Sequence, residues 1–398
     1  MLCTDFGYGG AERSFAKVAE LLAQDHQVTC VAFNGNIQQV YPLGARIELL
    51  DDSDYRFSVA RFMQRVRRLR ALVWQTRADV VVSFLEGADY VNCFSGAPRR
   101  IASIRGSKVH DHEIVGIKGV LRRWLMRRIY PRMDCVVPVS SGIADEMINH
   151  FGVLEDKIRV IPNFYDVPAL QVASRQALSV DLGAAFDNWD VWINVGRLHQ
   201  VKNQPFLLHL FAHTRANHPR ARLALVGDGP ELDALIALCR QLGLSYSHAQ
   251  HGQLNDQAWV WFLGYQPCVP ALLARSKLFL FPSLSEGFPN ALVEAMACGV
   301  PTISADCVSG PAEILQVETT SADPVRMGSG GVLVTTPTDH GLHHLENWRV
   351  AVDLALSQGQ QIASAAQVRV LDFSRDQAAR DWNAVVSGSQ TPSKGPEQ

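Results

Sequence analysis

The chain has 398 residues, of which 47% are hydrophobic and 19% charged, and its formal net charge is −2 at pH 7. This length exceeds what one hydrophobic core accommodates, so we expect two globular domains, and the composition excludes a disordered chain. The small net charge gives the protein no strong overall field, and the absence of any run of 18 apolar residues excludes a membrane-spanning helix.

Eight cysteines are scattered singly along the chain, and no two of them form a CxxC pair. This distribution is typical of buried thiols in a reducing compartment rather than of disulfides or a zinc site. The opening residues, MLCTDFGYGG, lack the basic and apolar regions of a signal peptide. We therefore expect a cytoplasmic protein.

Both halves of the chain alternate short apolar runs with amphipathic segments, which is typical of parallel βα units. An early segment, ERSFAKVAELLAQ, predicts a helix whose buried face carries Phe15, Val18, Ala19 and Leu22. The predicted strands of the first half are QVTCVAF, DVVVSFL, RRIASIR, CVVPVS and IRVIPN. Those of the second half are WDVWINVG, ARLALVG, VWFLGY, KLFLFPS, VPTISAD and GGVLV. The predicted fold class is α/β.

The stretch from Ile161 to Asp190 has no clear period and predicts a linker, with a domain boundary near residue 165. His248–Gln257 and Gln316–Asn347 are predicted to be exposed loops or insertions. We expect a first domain over residues 1–165, a second over 166–370, a helix over 371–388 that packs back toward the first domain, and a disordered tail over 389–398.

Charge is unevenly distributed along the chain. Residues Arg61 to Arg132 contain 16 Lys and Arg against 5 Asp and Glu, a net charge of +11, so the remainder carries −13. Two basic segments in this region have a helical pattern, RFMQRVRRLRALVWQTR and KGVLRRWLMRRIYPRM. The second predicts one apolar face flanked by arginines: Val120, Leu121, Trp124, Leu125 and Ile129, with Arg122, Arg123, Arg127 and Arg128.

Two interpretations of this basic helix remain open. It either packs its apolar face on the domain core with its arginines in water, or docks on an anionic membrane as an interfacial helix. Nucleic acid is not the expected partner, because stacking aromatic residues are not interleaved among the arginines.

Three loops carry candidate ligand-binding residues. DFGYGGAERS is a glycine-rich turn in which Gly9 and Gly10 let the backbone approach a ligand closely, although it is not GxGxxG. In NVGRLHQVKNQPFL, Arg197 and Lys202 follow a strand end and suit a diphosphate, or are ordinary surface cations. VGDGPELDAL contains a GxG that predicts a simple tight turn.

The stretch SEGFPNALVEAMACG combines a helix start with two carboxylates. Pro289 suits the first turn and Gly299 the stop, so the predicted helix covers Pro289–Cys298. Glu286 precedes this helix and Glu294 lies in its second turn. Its N-terminus suits phosphate, and the two acids would then accept hydrogen bonds from sugar and ribose hydroxyls. Alternatively, Glu286 caps the helix and Glu294 is solvated.

The order of these segments resembles that of the retaining glycosyltransferases of family 4. The matching pieces are GGAER, VGRLHQVKN, LVGDGPE, FLGY and LFPSLSEGFPNALVEAMACGVPTISADCVSGPAEIL, of which the last is the most specific. The resemblance implies the GT-B architecture, two Rossmann-like doubly wound domains facing across a cleft. The expected activity is transfer of a hexose or N-acetylhexosamine from a nucleotide diphosphate sugar, with UDP favoured, to a glycan or lipid-diphosphate-linked glycan acceptor.

The resemblance also implies roles for individual residues. Arg197 and Lys202 would hold the diphosphate and stabilise its growing charge, so that neither a metal nor a cofactor is needed. Glu294 would bind both ribose hydroxyls, and Glu286 the donor sugar. Backbone contacts would come from Gly287, Phe288, Asn290 and Ala291 at the diphosphate, Gly264 and Tyr265 at the base, and Gly9 and Gly10 of the first domain.

Some positions depart from the family pattern or invite another interpretation. Where many relatives carry His after a first-domain strand, SIRGSKVHD has Arg105, which we predict to contact the acceptor sugar or its phosphate. His110 is either part of that site or simply exposed. Asp51–Asp54 (DDSD) predicts a solvated loop rather than a metal-binding DxD. Neither the pair His110 and His112 nor the pair His343 and His344 has the spacing of a complete zinc site.

Three other functions fit the sequence less well than the transferase. An epimerase or phosphorylase of the same architecture would need a different acid/base set or a cofactor-binding lysine, for which the sequence has no clear candidate. A non-catalytic nucleotide-sugar-binding partner is disfavoured by the complete set of charged site residues. An NAD-dependent dehydrogenase is disfavoured because GxGxxG and its partner acid are absent.

Overall fold

The computed structural model describes residues 1–7, 10–33, 43, 45–51, 59–109, 116–248, 254–318 and 322–389. The chain divides into two compact units, one formed by Met1–Phe164 with Arg375–Gln398 and the other by Tyr165–Ser374. Each unit contains a mainly parallel sheet whose strands are connected by helices. The predicted α/β fold class is therefore confirmed.

The first unit has a sheet of six described strands, all parallel, in the order β3-β2-β1-β4-β5-β6. The strands are β1 (Leu2–Cys3), β2 (Thr29–Ala32), β3 (Arg46–Leu49), β4 (Val80–Phe84), β5 (Arg99–Ile104) and β6 (Cys135–Pro138). The helices are α1 (Gly10–Leu22), α2 (Val59–Thr76), α3 (Glu86–Asn92), α4 (Gly116–Ile129), α5 (Ser141–Phe151) and, from the end of the chain, α15 (Arg375–Ser387). The strand order reverses beside β1, as in doubly wound sheets.

The core of the first unit joins its earliest helix to its latest. Helix α1 buries the four side chains that its period predicts: Phe15, Val18, Ala19 and Leu22. Trp382 of α15 belongs to the same buried cluster and stacks on Phe84 of β4, with ring centroids 6.2 Å apart. The C-terminal segment is thus part of this core.

Helix α4 packs differently from the single apolar face predicted for it. Val120, Leu121 and Trp124 are 68%, 63% and 51% exposed. Ile129 of the predicted face is buried, but the other buried hydrophobic side chain described on this helix is Met126, which the predicted face did not include. The prediction of one apolar face was therefore wrong, because the helix divides its apolar residues between the core and the surface.

Two aspartates of the first unit are buried. Asp51, predicted to be in a solvated loop, instead lies 2.8 Å from Nη2 of Arg65 of α2 in a buried ion pair. Asp89 of α3 accepts hydrogen bonds from Oγ of Ser83 at 2.7 Å and from the Tyr130 hydroxyl at 3.3 Å. Burial raises the pKa of Asp89 to about 7, because the ionised carboxylate is poorly solvated there.

The second unit has a sheet of eight described strands in the order β13-β14-β12-β11-β7-β8-β10-β9, in which only the β13–β14 pair is antiparallel. The strands are β7 (Asp190–Val195), β8 (Ala221–Val226), β9 (Tyr246–His248), β10 (Val260–Gly264), β11 (Leu278–Phe281), β12 (Thr302–Ala305), β13 (Val325–Gly328) and β14 (Gly331–Val334). The helices are α6 (Val167–Ser174), α7 (Val180–Asn188), α8 (Gln204–Thr214), α9 (Leu232–Gln241), α10 (Val269–Leu273), α11 (Asn290–Ala297), α12 (Pro311–Leu315), α13 (Leu342–Ser357) and α14 (Gly359–Arg369).

Three segments differ from their predicted structure. The predicted strand IRVIPN forms only an isolated bridge, between Ile158 and Val136 of β6. The predicted linker Ile161–Asp190 contains α6 and α7. The predicted loop Gln316–Asn347 contains the β13–β14 hairpin and the first turns of α13.

All eight cysteines are free thiols, as predicted, and six of them are buried. No described helix is both long and apolar enough to cross a membrane. Gly9, His110, His112, Asp52–Asp54, residues 249–253 of the predicted loop and 390–398 of the predicted tail lie outside the described residues.

Candidate functional site

The candidate site lies where the strand order of the second unit reverses. β7 pairs with β8 on one side and with β11 on the other. From β7 the chain continues outward through β8, and later returns to β11 and continues through β12 to β14. Open α/β sheets bind ligands at the carboxyl ends of the strands that flank such a reversal. In this unit those ends lead into the Gly196–Lys202 loop and the Ser283–Pro289 loop.

An ion pair joins these two loops. Nζ of Lys202 lies 2.5 Å from Oε1 of Glu286, and both side chains are mostly buried. The backbones are also joined, because the N–H of Leu284 donates to the carbonyl of Val201 at 2.8 Å. Lys202 further lies over the ring of Phe281, with Nζ 5.4 Å from the centroid. The structure thus brings the predicted diphosphate cation into contact with the predicted sugar-binding acid.

Arg197 lies on the same loop as Lys202, and its side chain is exposed. Two glycines after β8 allow this loop to approach closely. A Cβ on Gly227 would lie 2.2 Å from the carbonyl oxygen of Gly196, and a Cβ on Gly229 would lie 2.1 Å from the carbonyl oxygen of Leu198. Leu198 N–H also donates to the carbonyl of Asp228 at 3.0 Å. The GxG of VGDGPE is therefore a site of close backbone packing, a role that its prediction as a simple turn missed.

The backbone around Glu286 is held by the segment after β12. Oγ of Ser309 donates a hydrogen bond to the Glu286 carbonyl at 2.6 Å. Gly310 has φ +92°, and a Cβ there would lie 2.9 Å from the carbonyl oxygen of Gly287 and 2.9 Å from Cδ of Pro289. Sequence reasoning missed both residues as part of the site. The only local signal was the Ser-Gly-Pro run in DCVSGPAEIL.

Helix α11 begins at Asn290, one residue after the predicted start, and Pro289 is its N-cap with φ −69°. It ends with Gly299 at φ +74°, the left-handed conformation that the predicted stop requires. The N–H groups of Asn290 and Ala291 lie in the first turn, where the helix supplies no acceptors and the dipole favours an anion. Glu294 lies in the second turn and is 7% exposed, so the alternative interpretation of Glu294 as a solvated carboxylate was wrong.

The predicted base-binding backbone lies at the same edge of the sheet. Gly264 ends β10, has φ +64°, and accepts a hydrogen bond from the N–H of Gly227 at 2.9 Å. Tyr265 N–H donates to Oδ2 of Asp228 at 3.1 Å, and the Tyr265 side chain is exposed. The ends of β8 and β10 are therefore joined directly beside the Arg197 loop.

The two predicted residues of the first unit that the structure describes, Gly10 and Arg105, lie around the start of α1. Gly10 is the first residue of α1 and is exposed. Nη2 of Arg105, just after β5, donates to Oγ of Ser14 and, at 2.7 Å, to Oδ1 of Asn163. The guanidinium also lies over the ring of Phe84, 5.5 Å from its centroid. Arg105 thus contacts α1, β4 and the segment at Asn163, all within its own unit.

Two family models match the chain, and together they cover most of both units. The model described as Glycosyltransferase Family 4 matches residues 8–168, and the model described as Glycosyl transferases group 1 matches residues 184–322. The second match contains both loops of the Lys202–Glu286 ion pair.

Curated relatives align along most of their own length. An uncharacterized glycosyltransferase of Methanocaldococcus jannaschii is 28% identical over 354 residues, which is 83% of this chain and 84% of the relative. The N-acetylgalactosamine-N,N'-diacetylbacillosaminyl-diphospho-undecaprenol 4-alpha-N-acetylgalactosaminyltransferase of Campylobacter jejuni is 23% identical over 316 residues, 77% of this chain and 80% of the relative.

Solved structures show the same fold. Anabaena HepE, in complex with UDP, has a TM-score of 0.72 and 19% identity, with 97% of this chain and 99% of HepE covered. WaaG, a glycosyltransferase involved in lipopolysaccharide biosynthesis, has a TM-score of 0.66 and 17% identity, with 98% of this chain and 100% of WaaG covered. The two family models and the shared fold together define a glycosyltransferase of the GT-B class. Within that class, the chain belongs to glycosyltransferase family 4.

Proposed function

We propose that this enzyme transfers a hexose or N-acetylhexosamine from a UDP-sugar to a lipid-diphosphate-linked glycan, with retention of anomeric configuration, in the synthesis of a cell-surface polysaccharide or glycoconjugate. The observation that carries the donor half of this proposal is the Lys202–Glu286 ion pair at the strand-order reversal. HepE structures in complex with UDP and with UDP-glucose support the choice of nucleotide. The name of the C. jejuni relative supports the choice of acceptor class.

The diphosphate is the leaving group, so negative charge grows on it as the bond to the sugar breaks. Lys202 supplies a fixed point charge, and Arg197 supplies a planar fork of N–H donors from the exposed side of the same loop. The N-terminus of α11 adds backbone N–H groups and the positive end of its dipole. These protein groups neutralise the diphosphate, and turnover then does not depend on added Mg²⁺ or Mn²⁺.

The two glutamates bind different parts of the donor. Glu294 is buried in α11, and a buried carboxylate is stabilised by donors such as the two ribose hydroxyls. Glu286 is held by Lys202 through its side chain and by Ser309 through its carbonyl, which fixes it beside the sugar.

Retention follows from attack on the same face that the diphosphate leaves. The acceptor oxygen bonds to the anomeric carbon as the bond to the diphosphate breaks, and the hydroxyl proton passes to the departing phosphate oxygen. No carboxylate nucleophile is required, unlike in retaining hydrolases. Glu286, paired with Lys202, remains a binding group.

A donor test separates this proposal from the alternatives. UDP at about 100 times its dissociation constant should stabilise the protein by about 2.7 kcal/mol, and GDP and ADP at the same concentration should stabilise it less. Product analysis with UDP-linked sugars and a lipid-diphosphate-linked glycan should show the anomeric configuration of the donor. Binding of UDP without sugar transfer to any acceptor would favour the non-catalytic alternative, and an inverted product would refute same-face attack.

Arg105 is proposed to contact the acceptor. It follows a strand end of the first unit, and Ser14 and Asn163 hold one of its terminal nitrogens in place. A guanidinium held in this position supplies a fixed positive charge just after a strand end, which suits an acceptor phosphate or sugar hydroxyl.

The exposed face of α4 is proposed to bind an anionic membrane. Val120, Leu121 and Trp124 form its apolar part, and Arg123, Arg127 and Arg128 are exposed beside them. Interfacial helices combine an apolar face with such cations, each of which contributes about 1 kcal/mol near anionic lipid. Arg122 is excluded from this surface, because it forms an ion pair with Glu86 at 2.6 Å.

Vesicle co-sedimentation tests this surface. Binding should require anionic lipid, decrease with added salt, and decrease strongly when Arg123, Arg127 and Arg128 are changed to Gln or when Trp124 is changed to Ser. The matched control changes three exposed arginines of the second unit, Arg175, Arg220 and Arg240, to Gln. Equal recovery with neutral and anionic vesicles, or equal losses in the two triple variants, would refute docking through α4.

A further inference from the structure

Three potential metal ligands of the second unit converge at the start of α13, apart from the donor site. Asp339, His343 and His344 each offer one ligand atom, and these atoms lie within 4.8 Å of one another. Nε2 of His344 lies 3.9 Å from Oδ1 of Asp339. The two histidines alone are an incomplete set, and the fold adds the aspartate from the loop before the helix.

His344 has few hydrogen bonds for a buried imidazole. It is 6% exposed, and its Nδ1 has no hydrogen-bond partner within the described ranges. Its Nε2 has the Thr338 hydroxyl at 3.5 Å, which is beyond the usual hydrogen-bond range. Nε2 therefore lacks a partner at the usual hydrogen-bond distance, and a metal ion bound there would supply one.

Gly341 keeps the space between the other two ligands open. A Cβ on this glycine would lie 2.8 Å from Oδ1 of Asp339 and 3.1 Å from Nδ1 of His343, so both atoms border the same space. The Gly341 N–H donates to Oδ1 of Asp339 at 2.8 Å and orients the carboxylate. Ligand orientation by such a hydrogen bond is a regular feature of metal sites.

We propose that Asp339, His343 and His344 bind one divalent transition-metal ion of the Zn²⁺ type, with water completing the coordination. Tetrahedral Zn²⁺ with N and O ligands at their usual distances has ligand atoms about 3.4 Å apart. The ligand atoms here lie within 4.8 Å of one another, so side-chain rotations would have to bring them closer by up to about 1.4 Å. Two imidazoles with one carboxylate suit Zn²⁺ better than Mg²⁺ or Ca²⁺, which prefer all-oxygen sites.

The position of this site indicates a bracing role. The loop that leads to Asp339 accepts a hydrogen bond at the Pro337 carbonyl from Nδ2 of Asn203, at 3.0 Å. Asn203 directly follows Lys202 in the chain. A metal ion would therefore hold in place the loop that contacts Asn203, next to Lys202, without taking part in sugar transfer.

The test uses full-length protein that carries no affinity tag and has been freed of metal. Titration calorimetry with Zn²⁺ alone should show one ion bound per chain, and Co²⁺ should give the visible absorption of a site with nitrogen ligands. His343→Asn and Asp339→Asn, both at exposed positions, should each weaken Zn²⁺ binding by about tenfold or more. Mg²⁺ should not compete.

Two control variants carry the same change at histidines outside the proposed set. His209 is near the site, where it stacks on His340 at 4.3 Å, and His150 is an exposed histidine of the first unit. His209→Asn and His150→Asn should bind Zn²⁺ as the unmodified protein does. Absence of saturable binding, or binding that is unchanged in both His343→Asn and Asp339→Asn, would overturn the proposal.

Discussion

Replacing Lys202 by Met tests whether the ion pair with Glu286 serves catalysis or only stability. The substitution keeps an unbranched side chain of similar length over Gly196 and Phe281 but removes the charge. If Lys202 stabilises the leaving diphosphate, its loss should cost about 2–4 kcal/mol of transition-state stabilisation. At about 1.4 kcal/mol per factor of ten, kcat/KM should then decrease by about 30- to 1,000-fold.

Stability should also change, by an amount set by the burial of the pair. The side chains of Lys202 and Glu286 are 24% and 11% exposed, so the pair is neither a surface pair nor fully buried. Breaking a buried pair costs about 3–5 kcal/mol, whereas surface pairs contribute about 0.2–1 kcal/mol. We expect Lys202→Met to lower the free energy of unfolding by about 1–3 kcal/mol, because Glu286 loses its cation while it remains largely covered.

A double variant separates the two effects. Lys202→Met combined with Glu286→Gln should recover part of the lost stability, since no unpaired carboxylate remains, but should recover none of the lost activity. Urea unfolding and a coupled assay of released UDP measure the two quantities, and Lys277→Met, an exposed lysine just before β11, is the control. If Lys202→Met loses the expected stability but less than threefold in kcat/KM, Lys202 is only a structural partner of Glu286.

Glu294→Gln should weaken UDP binding by about 2–3 kcal/mol in calorimetry, because a charged acceptor of two hydroxyls is lost; unchanged UDP affinity would remove Glu294 from the ribose site. Arg105→Lys and Arg105→Ala should raise the acceptor KM and leave the donor KM unchanged, because the planar fork is lost, and an unchanged acceptor KM would contradict this role. Asp89 has a pKa raised to about 7 in the folded protein, so its contribution to stability is fully present below about pH 4 and is lost as pH rises to 7. Asp89→Asn should therefore become more stable relative to the unmodified protein between pH 4 and 8, by up to about 4 kcal/mol, and urea unfolding that shows no pH dependence of this difference would refute the raised pKa.

The features that sequence patterns predicted are those set by neighbouring residues or by a general rule of sheets. The buried face of α1 follows from its spacing of apolar residues, and the stop of α11 follows from the left-handed backbone of Gly299. That Lys202 and Glu286 lie at the same edge of the sheet follows from the rule that parallel strands end at one edge, together with the family resemblance.

The features that the patterns missed depend on contacts between distant segments. Nothing near Ser309 in the sequence indicates that its hydroxyl will reach the Glu286 carbonyl. The glycines after β8 are required only because the loop after β7 lies against them in the fold. IRVIPN has an apolar strand pattern, and Arg159 and Ile161 donate to carbonyls of β6, but a single bridge forms. Helix α4 was assigned one apolar face because local spacing does not show that Met126, rather than Trp124, packs on the core.

The contribution of α15 to the first unit has a consequence for how the protein folds during synthesis. Trp382 fills the core beside Phe84, yet it is made only after the whole second unit, Tyr165–Ser374, has been synthesised. Part of the apolar surface of the first unit therefore stays uncovered throughout synthesis of the second unit. A chain cut at residue 374 would retain every proposed donor-binding residue of the second unit but would leave the first unit prone to aggregation. A peptide of residues 375–389 added in trans should restore its solubility.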